Sequence, residues 1–146
     1  MKILVLLQNA WYNDGKPRAH EQWMSDLWRS HTGKQLKKML PAPTEVEIFV
    51  NNASPKIGDK VHSAFEPDLK HIHRLLIGIK PDVVLACGAY AKEAVNLMRV
   101  YSLDTYGIPV VYAPHPAWRQ LSDNRCEQVK SAVEEMLVTV QQRGVK

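Results

Sequence analysis

The apolar residues of the chain are concentrated in four short runs, most of which lack alternation with polar residues. Continuous apolar runs of this length are typical of strands that are covered on both faces, as in a parallel sheet. We therefore predict four strands, at Lys2–Leu7, Val46–Val50, Val83–Cys87 and Pro109–Ala113.

Between and after these runs, apolar residues recur at spacings of three and four, which predicts amphipathic helices. In the first connection, about 38 residues long, we expect Gly33 to separate two helices. A third helix, through Leu69 and Ile79, is expected to begin at a capping box formed by Ser63 and Glu66. Two more helices are predicted, around Ala91–Met98 and Val129–Val140.

Strands that alternate with helices imply an α/β fold with a parallel sheet and right-handed crossovers. The 146 residues fit a single domain spanning 1–146, because most domains hold about 100–200 residues. No apolar stretch reaches the roughly 18 residues of a membrane span. With only two cysteines, a disulfide scaffold is excluded, and a reducing, cytoplasmic compartment is the simplest interpretation.

The net charge of +4 permits a nucleic-acid partner without requiring one. Basic residues are concentrated near the first two predicted helices, where only Glu21 and Asp26 oppose them. Taken alone, this concentration favours a solvated helix face. The basic residues are Lys16, Arg18, Arg29, Lys34, Lys37 and Lys38.

Amides, aromatic residues and one histidine follow the predicted strands, at the edge where open parallel sheets bind ligands. No Asp or Glu follows any strand directly. Such a set suits a neutral, planar ligand such as a nucleobase better than a metal ion. Each residue also has a structural interpretation, as a turn amide or a loop anchor. The segments are Gln8–Tyr12, Asn51–Pro55, Gly88–Tyr90 and Pro114–Arg119.

Other sites are poorly supported by the sequence. His71 and His73 would point to different faces of a helix, so no metal site is expected there. A dinucleotide fingerprint, a phosphate loop and a nucleophile elbow are all absent from the sequence. Cys87 ends an apolar run and is expected in the core.

Five segments carry motifs in order along nearly the whole chain: KILVLLQNAWY, WRSHTGKQLKKML, VEIFVNNASP, IKPDVVLACGAYAKEAV and IPVVYAPHPAW. In these segments the chain resembles the uracil-DNA glycosylase superfamily, most closely its short family-4 type. The last two matches are the most specific, because strand, glycine and helix recur there as one unit. The resemblance implies a three-layer α/β/α fold with a central four-stranded parallel sheet.

The resemblance also implies a monofunctional DNA glycosylase that removes uracil, or a related damaged or modified base, from single- or double-stranded DNA. We expect the protein to be a monomer. Asn9 matches the residue that holds the attacking water, and His115 matches the one that stabilises the departing base. The implied base-binding residues are Gln8, which shapes the pocket through its backbone, Trp28, which stacks on the base, and Asn52, which bonds to its edge. Asn51 is the alternative to Asn52 if the register shifts by one. The implied DNA-binding residues are Arg29, Lys34 and, in a loop that enters the DNA helix, Trp118, Arg119 and Leu121.

The chain departs from the family pattern at three points. Leu7 stands where the family has a glycine, and Ala10 where it has a proline. Two cysteines cannot supply the four thiolates of the family-4 iron–sulfur cluster, so no cofactor is expected. Two alternatives stay open: a non-catalytic DNA- or nucleotide-binding protein on the same fold, and a small α/β enzyme acting on free nucleosides or nucleotides.

Overall fold

A computed structural model of the protein describes residues 1–42, 46–62, 64–98 and 107–144. The predicted α/β class and the four strands are confirmed. The second and fourth strands each begin one residue later than predicted, and the second extends to Asn52. In chain order the elements are β1 (Lys2–Leu7), α1 (His20–Arg29), α2 (His31–Lys38), β2 (Glu47–Asn52), α3 (Leu69–Ile79), β3 (Val83–Cys87), α4 (Ala89–Met98), β4 (Val110–Ala113) and α5 (Asp123–Gly144).

The four strands form one parallel sheet in the order β2-β1-β3-β4. β1 is central and pairs with both β2 and β3. Its last residue, Leu7, pairs with Asn52 at the end of β2, while Cys87 of β3 pairs with Ala113 of β4. All the carboxyl ends of the strands therefore meet at one edge of the sheet.

The sheet is buried on both faces, as its apolar runs predict. Ile3, Val5 and Leu7 of β1 belong to a core that includes residues of α1, α2 and α5. Leu4 and Leu6 belong to a second core formed with α3 and α4. This alternation confirms the three-layer α/β/α fold. No helix within the described residues is long and apolar enough to cross a membrane.

The junction between α1 and α2 differs from the prediction, because the break lies at Ser30 and not at Gly33. Ser30 is extended, and its Oγ accepts the Gly33 backbone N–H at 3.2 Å, which caps α2. Gly33 is buried in the first turn of α2, where a Cβ would lie 2.0 Å from the carbonyl oxygen of Leu27. This glycine allows the close approach of two helices instead of separating them.

The predicted start of α3 is also wrong. The helix begins at Leu69, and Asp68 caps it by accepting the His71 backbone N–H at 3.1 Å. Glu66 precedes the helix because the residue before a proline, here Pro67, is biased away from helical geometry. Its expected partner in the capping box, Ser63, lies outside the described residues.

Candidate functional site

A cleft of about 380 Å³ lies at the edge where the carboxyl ends of the strands meet. It is lined by Asn9 after β1, Asn52 at the end of β2 and His115 after β4. The fold thus brings together three polar residues that the sequence separates widely. The other lining residues are Leu7, Ala10, Trp11, Tyr12, Trp23, Asp26, Leu27, Ser30, Thr32 and Ala117.

Asn52 lines this cleft with a buried amide whose oxygen lacks a hydrogen-bond partner among the described residues. Its side chain is 7% exposed, and its Oδ1 atom accepts no hydrogen bond from any part of the chain that the structure describes. A buried polar atom without a partner costs about 1–3 kcal/mol. A ligand N–H group that reaches Oδ1 would recover this energy, so Asn52 is suited to bind the edge of a polar ligand.

The neighbouring Asn51 is used to hold the strand end. Its Oδ1 accepts the backbone N–H of Asn52 at 2.8 Å and lies 3.1 Å from Nε2 of His71. Since Oδ1 is an acceptor, Nε2 of His71 must carry the proton, and burial lowers the pKa of His71, which favours the neutral ring. Asn51 therefore fixes the backbone that presents Asn52.

His115 is held as a neutral ring with a defined donor. Its Nδ1 accepts the backbone N–H of Ala117 at 3.0 Å, so the ring proton is on Nε2. Burial lowers the pKa of His115, which keeps the imidazole neutral. Gly88 has a φ of +89°, and a Cβ on it would lie 3.1 Å from Cβ of His115. The absence of a side chain at Gly88 therefore lets His115 lie against the end of β3.

The loop after β1 is pinned to the segment after β2. The Gly58 N–H donates to the carbonyl of Ala10 at 2.7 Å, and the Tyr12 N–H donates to the carbonyl of Gly58 at 3.0 Å. The Trp11 indole also donates to the carbonyl of Asp59 at 2.8 Å. Within the loop, Nδ2 of Asn9 donates to the Ala10 carbonyl at 3.0 Å. These hydrogen bonds fix the loop that carries Asn9 and lines the cleft.

Two predicted base-binding residues lie outside the cleft lining of the described chain. The side chain of Gln8 does not line it, although its backbone carbonyl accepts the Ser54 N–H at 3.1 Å. Trp28 packs against the core, with Nζ of Lys37 at 5.6 Å from its ring centroid. The tryptophan of α1 that does line the cleft is Trp23.

Asp26 is an acidic residue of the cleft that lies on a helix and is not predicted by the pattern of strand ends. Its Oδ2 accepts the Tyr12 hydroxyl at 2.8 Å, and its Oδ1 accepts Gln22 at 2.9 Å and Arg29 at 3.0 Å. The hydrogen bond from Tyr12 is the main reason why the pKa of Asp26 is lowered. Burial, followed by the bond to Asp26, raises the pKa of Tyr12 to about 12. Nothing in the residue spacing indicates this pair.

The predicted DNA-binding residues differ in exposure. Trp118 is 48% exposed, and Arg119 and Lys34 are also exposed, whereas Arg29 is exposed but paired with Asp26. Leu121 does not fit a loop that enters DNA, because it is 8% exposed and belongs to the core beneath α5.

Side chains that commonly bind metals do not cluster in the part of the chain that the structure describes. Cys87 and Cys126 are free and buried. Over the described ranges, no group of three or more His, Cys, Asp or Glu side chains is arranged to hold a metal ion.

Comparison with models of protein families identifies the family of the chain. The model of the family described as "Uracil DNA glycosylase superfamily" matches residues 13–137. The matched region includes Asn52 and His115 and begins after Asn9. No curated protein and no solved structure matches the chain.

Proposed function

Because the chain belongs to the uracil DNA glycosylase superfamily, we propose that it is a monofunctional glycosylase that hydrolyses the bond between deoxyribose and uracil, or a related damaged or modified base. Superfamily membership supports a glycosylase type of activity in general. The observation that carries the finer proposal is the cleft in which Asn9, Asn52 and His115 meet.

Base capture is assigned to Asn52. A base stacked in DNA is out of reach, so the enzyme must first flip it out at a cost of a few kcal/mol. The open Oδ1 of Asn52 then accepts an N–H from the edge of the base, while its Nδ2 can donate to a neighbouring carbonyl. By analogy with groove recognition, such a paired amide contact discriminates between bases by about 1–3 kcal/mol.

Bond cleavage is assigned to His115 and Asn9. When the bond to the sugar breaks, its electron pair leaves on the base, and the Nε2–H of His115 can donate to the resulting anion. The neutral ring suits this role, because it donates a hydrogen bond without having to transfer a proton. The amide of Asn9 can orient a water molecule but cannot deprotonate it.

The proposal is tested by incubating the protein with single- and double-stranded oligonucleotides that contain uracil, and by scoring abasic sites with alkali. Matched oligonucleotides with thymine are the control. Strand breaks specific to uracil, or to another modified base, are the expected result. An absence of abasic sites with uracil and with every common deaminated or modified base would contradict the enzymatic proposal.

A non-catalytic DNA-binding protein is the second candidate, favoured by the wall of the cleft. Leu7 and Ala10 are 4% and 7% exposed and line the cleft where the family has glycine and proline. A leucine side chain there takes space that a glycine leaves open. Binding with a steep salt dependence and no cleavage would favour this candidate.

The stacking partner of the base can be tested by comparing two tryptophans of α1. Because Trp23 lines the cleft, we expect Trp23→Ala to raise KM about five- to hundredfold, since stacking contributes about 1–3 kcal/mol per base. Trp28→Ala is the matched variant and should lower stability without weakening base capture, because Trp28 packs on the core. The opposite pattern in steady-state kinetics would return the stacking role to Trp28.

We further infer that the protein is a single-domain monomer of the family-4-like type that lacks the iron–sulfur cluster, acting on DNA in the cytoplasm. Its two cysteines are too few for that cluster. Both are free and buried, which suits a reducing compartment.

A further inference from the structure

We propose that Asp26 of α1 is a further catalytic residue, whose carboxylate stabilises the positive charge that develops on the sugar as the base departs. This inference rests on the proposed glycosylase function. It goes beyond the residues at the strand ends, because Asp26 reaches the cleft from a helix.

The charge distribution of the cleft leads to this assignment. Asn9 and Asn52 are amides, and His115 is held neutral with its Nδ1 already bonded to Ala117. Among the described residues that line the cleft, Asp26 is the only acidic one, and none is Lys or Arg. Asp26 is therefore the group of the described lining whose charge can oppose the positive charge that develops on the sugar.

The carboxylate of Asp26 is fixed before any substrate binds. Tyr12, Gln22 and Arg29 donate three hydrogen bonds to it, at 2.8, 2.9 and 3.0 Å. Such donors favour the ionised form, and they hold the charge in one place. A group that is already oriented needs no rearrangement during the reaction, which is the condition for effective electrostatic stabilisation.

The paired Arg29 does not cancel this charge inside the cleft. Its side chain is 71% exposed, whereas that of Asp26 is 33% exposed. Water and salt screen the more exposed guanidinium more than the carboxylate, and of the two only Asp26 lines the cleft, so the pair leaves a net negative field there. Tyr12, which also lines the cleft, adds no charge, because burial raises its pKa to about 12 and keeps the hydroxyl protonated.

The reaction that this charge assists is the hydrolysis of the glycosidic bond. The bond between C1′ and the base nitrogen breaks, and both of its electrons leave with the base. The oxygen of a water molecule adds to C1′ and loses one proton to solvent, while the base anion gains one proton. Asp26 stays ionised throughout, so it acts through its charge and not as a proton acceptor.

The test removes this charge and then replaces it from another position. Asp26→Asn keeps the size of the side chain and an oxygen that can accept the Tyr12 hydroxyl. We expect it to lower the single-turnover rate of excision about 100-fold, with DNA affinity and melting temperature nearly unchanged. In the double variant, Asn9→Asp supplies a carboxylate from the end of β1, and we expect much of the rate to return.

Asp123→Asn is the matched control, because it removes the same charge from an exposed ion pair with Lys38. We expect it to excise bases at the rate of the unmodified protein. Two results would overturn the inference while leaving the proposed function standing. The first is an Asp26→Asn variant that excises bases at the unmodified rate. The second is a slow Asp26→Asn variant whose rate does not rise when Asn9→Asp is added. An unmodified protein that excises no base would contradict the proposed function itself.

Discussion

Replacing His115 with alanine is expected to lower the single-turnover rate of base excision about 10²–10³-fold, the range found when one donor to a developing anion is removed. DNA affinity should change little, because the Nε2–H of His115 interacts most strongly when negative charge appears on the base. The hydrogen bond from the Ala117 N–H to Nδ1 and the contact with Gly88 hold the ring before substrate binds. Single-turnover kinetics and a binding titration on one oligonucleotide measure the two effects separately.

His62→Ala is a suitable control for this change, because His62 is an exposed histidine outside the lining of the cleft. It should excise bases at the rate of the unmodified protein. A parallel loss of rate in both variants, or a His115→Ala variant as fast as the parent, would contradict the role given to His115.

Replacing Gly33 with alanine is expected to lower the free energy of unfolding by about 3 kcal/mol or more, at the upper end of the cost of overpacking. The added Cβ would lie 2.0 Å from the Leu27 carbonyl oxygen and 2.8 Å from Cα of Trp28. Both are backbone atoms of α1 that cannot rotate away, so α2 must move as a body. Urea denaturation followed by circular dichroism measures the loss.

Gly78→Ala is the matched variant, because among the described residues no atom beyond its chain neighbours and the backbone of its own helix lies within 4 Å of the added Cβ. Gly78 is an exposed position inside α3, where alanine stabilises a helix by about 0.5–1 kcal/mol relative to glycine. The two substitutions should therefore change stability in opposite directions. Equal stabilities would show that the α1–α2 junction tolerates a side chain at Gly33.

The sheet could be predicted from the sequence because its strands are continuous apolar runs, and β1 and β3 have the predicted bounds. The role of Gly33 could not be predicted from the sequence. A glycine between two helical patterns is compatible with a break or with close packing, and only the position of α1 decides between them. The same limit applies to Leu121, which follows a polar loop in sequence but packs in the core.

The site was predictable to the extent that it lies on strand ends. Parallel strands place their carboxyl ends together, which is why Asn9, Asn52 and His115 could be expected to meet. Trp23 and Asp26 could not be found in this way, because they reach the cleft from α1. The position of α1 depends on Ser30 and Gly33 at the helix junction. The spacing of residues along the sequence does not predict this position.

The central position of β1 has a consequence for the kinetics of folding. β1 pairs with β2 on one side and with β3 on the other, and its first residue bonds to Asp82, 80 positions away. Sheets built from such distant segments have high contact order and fold slowly, because long loops must close before the pairings form. Asn9, Asn52 and His115 become neighbours only when these loops are closed. We therefore expect catalytic competence to arise in the last and slowest phase of folding, after the helices have formed.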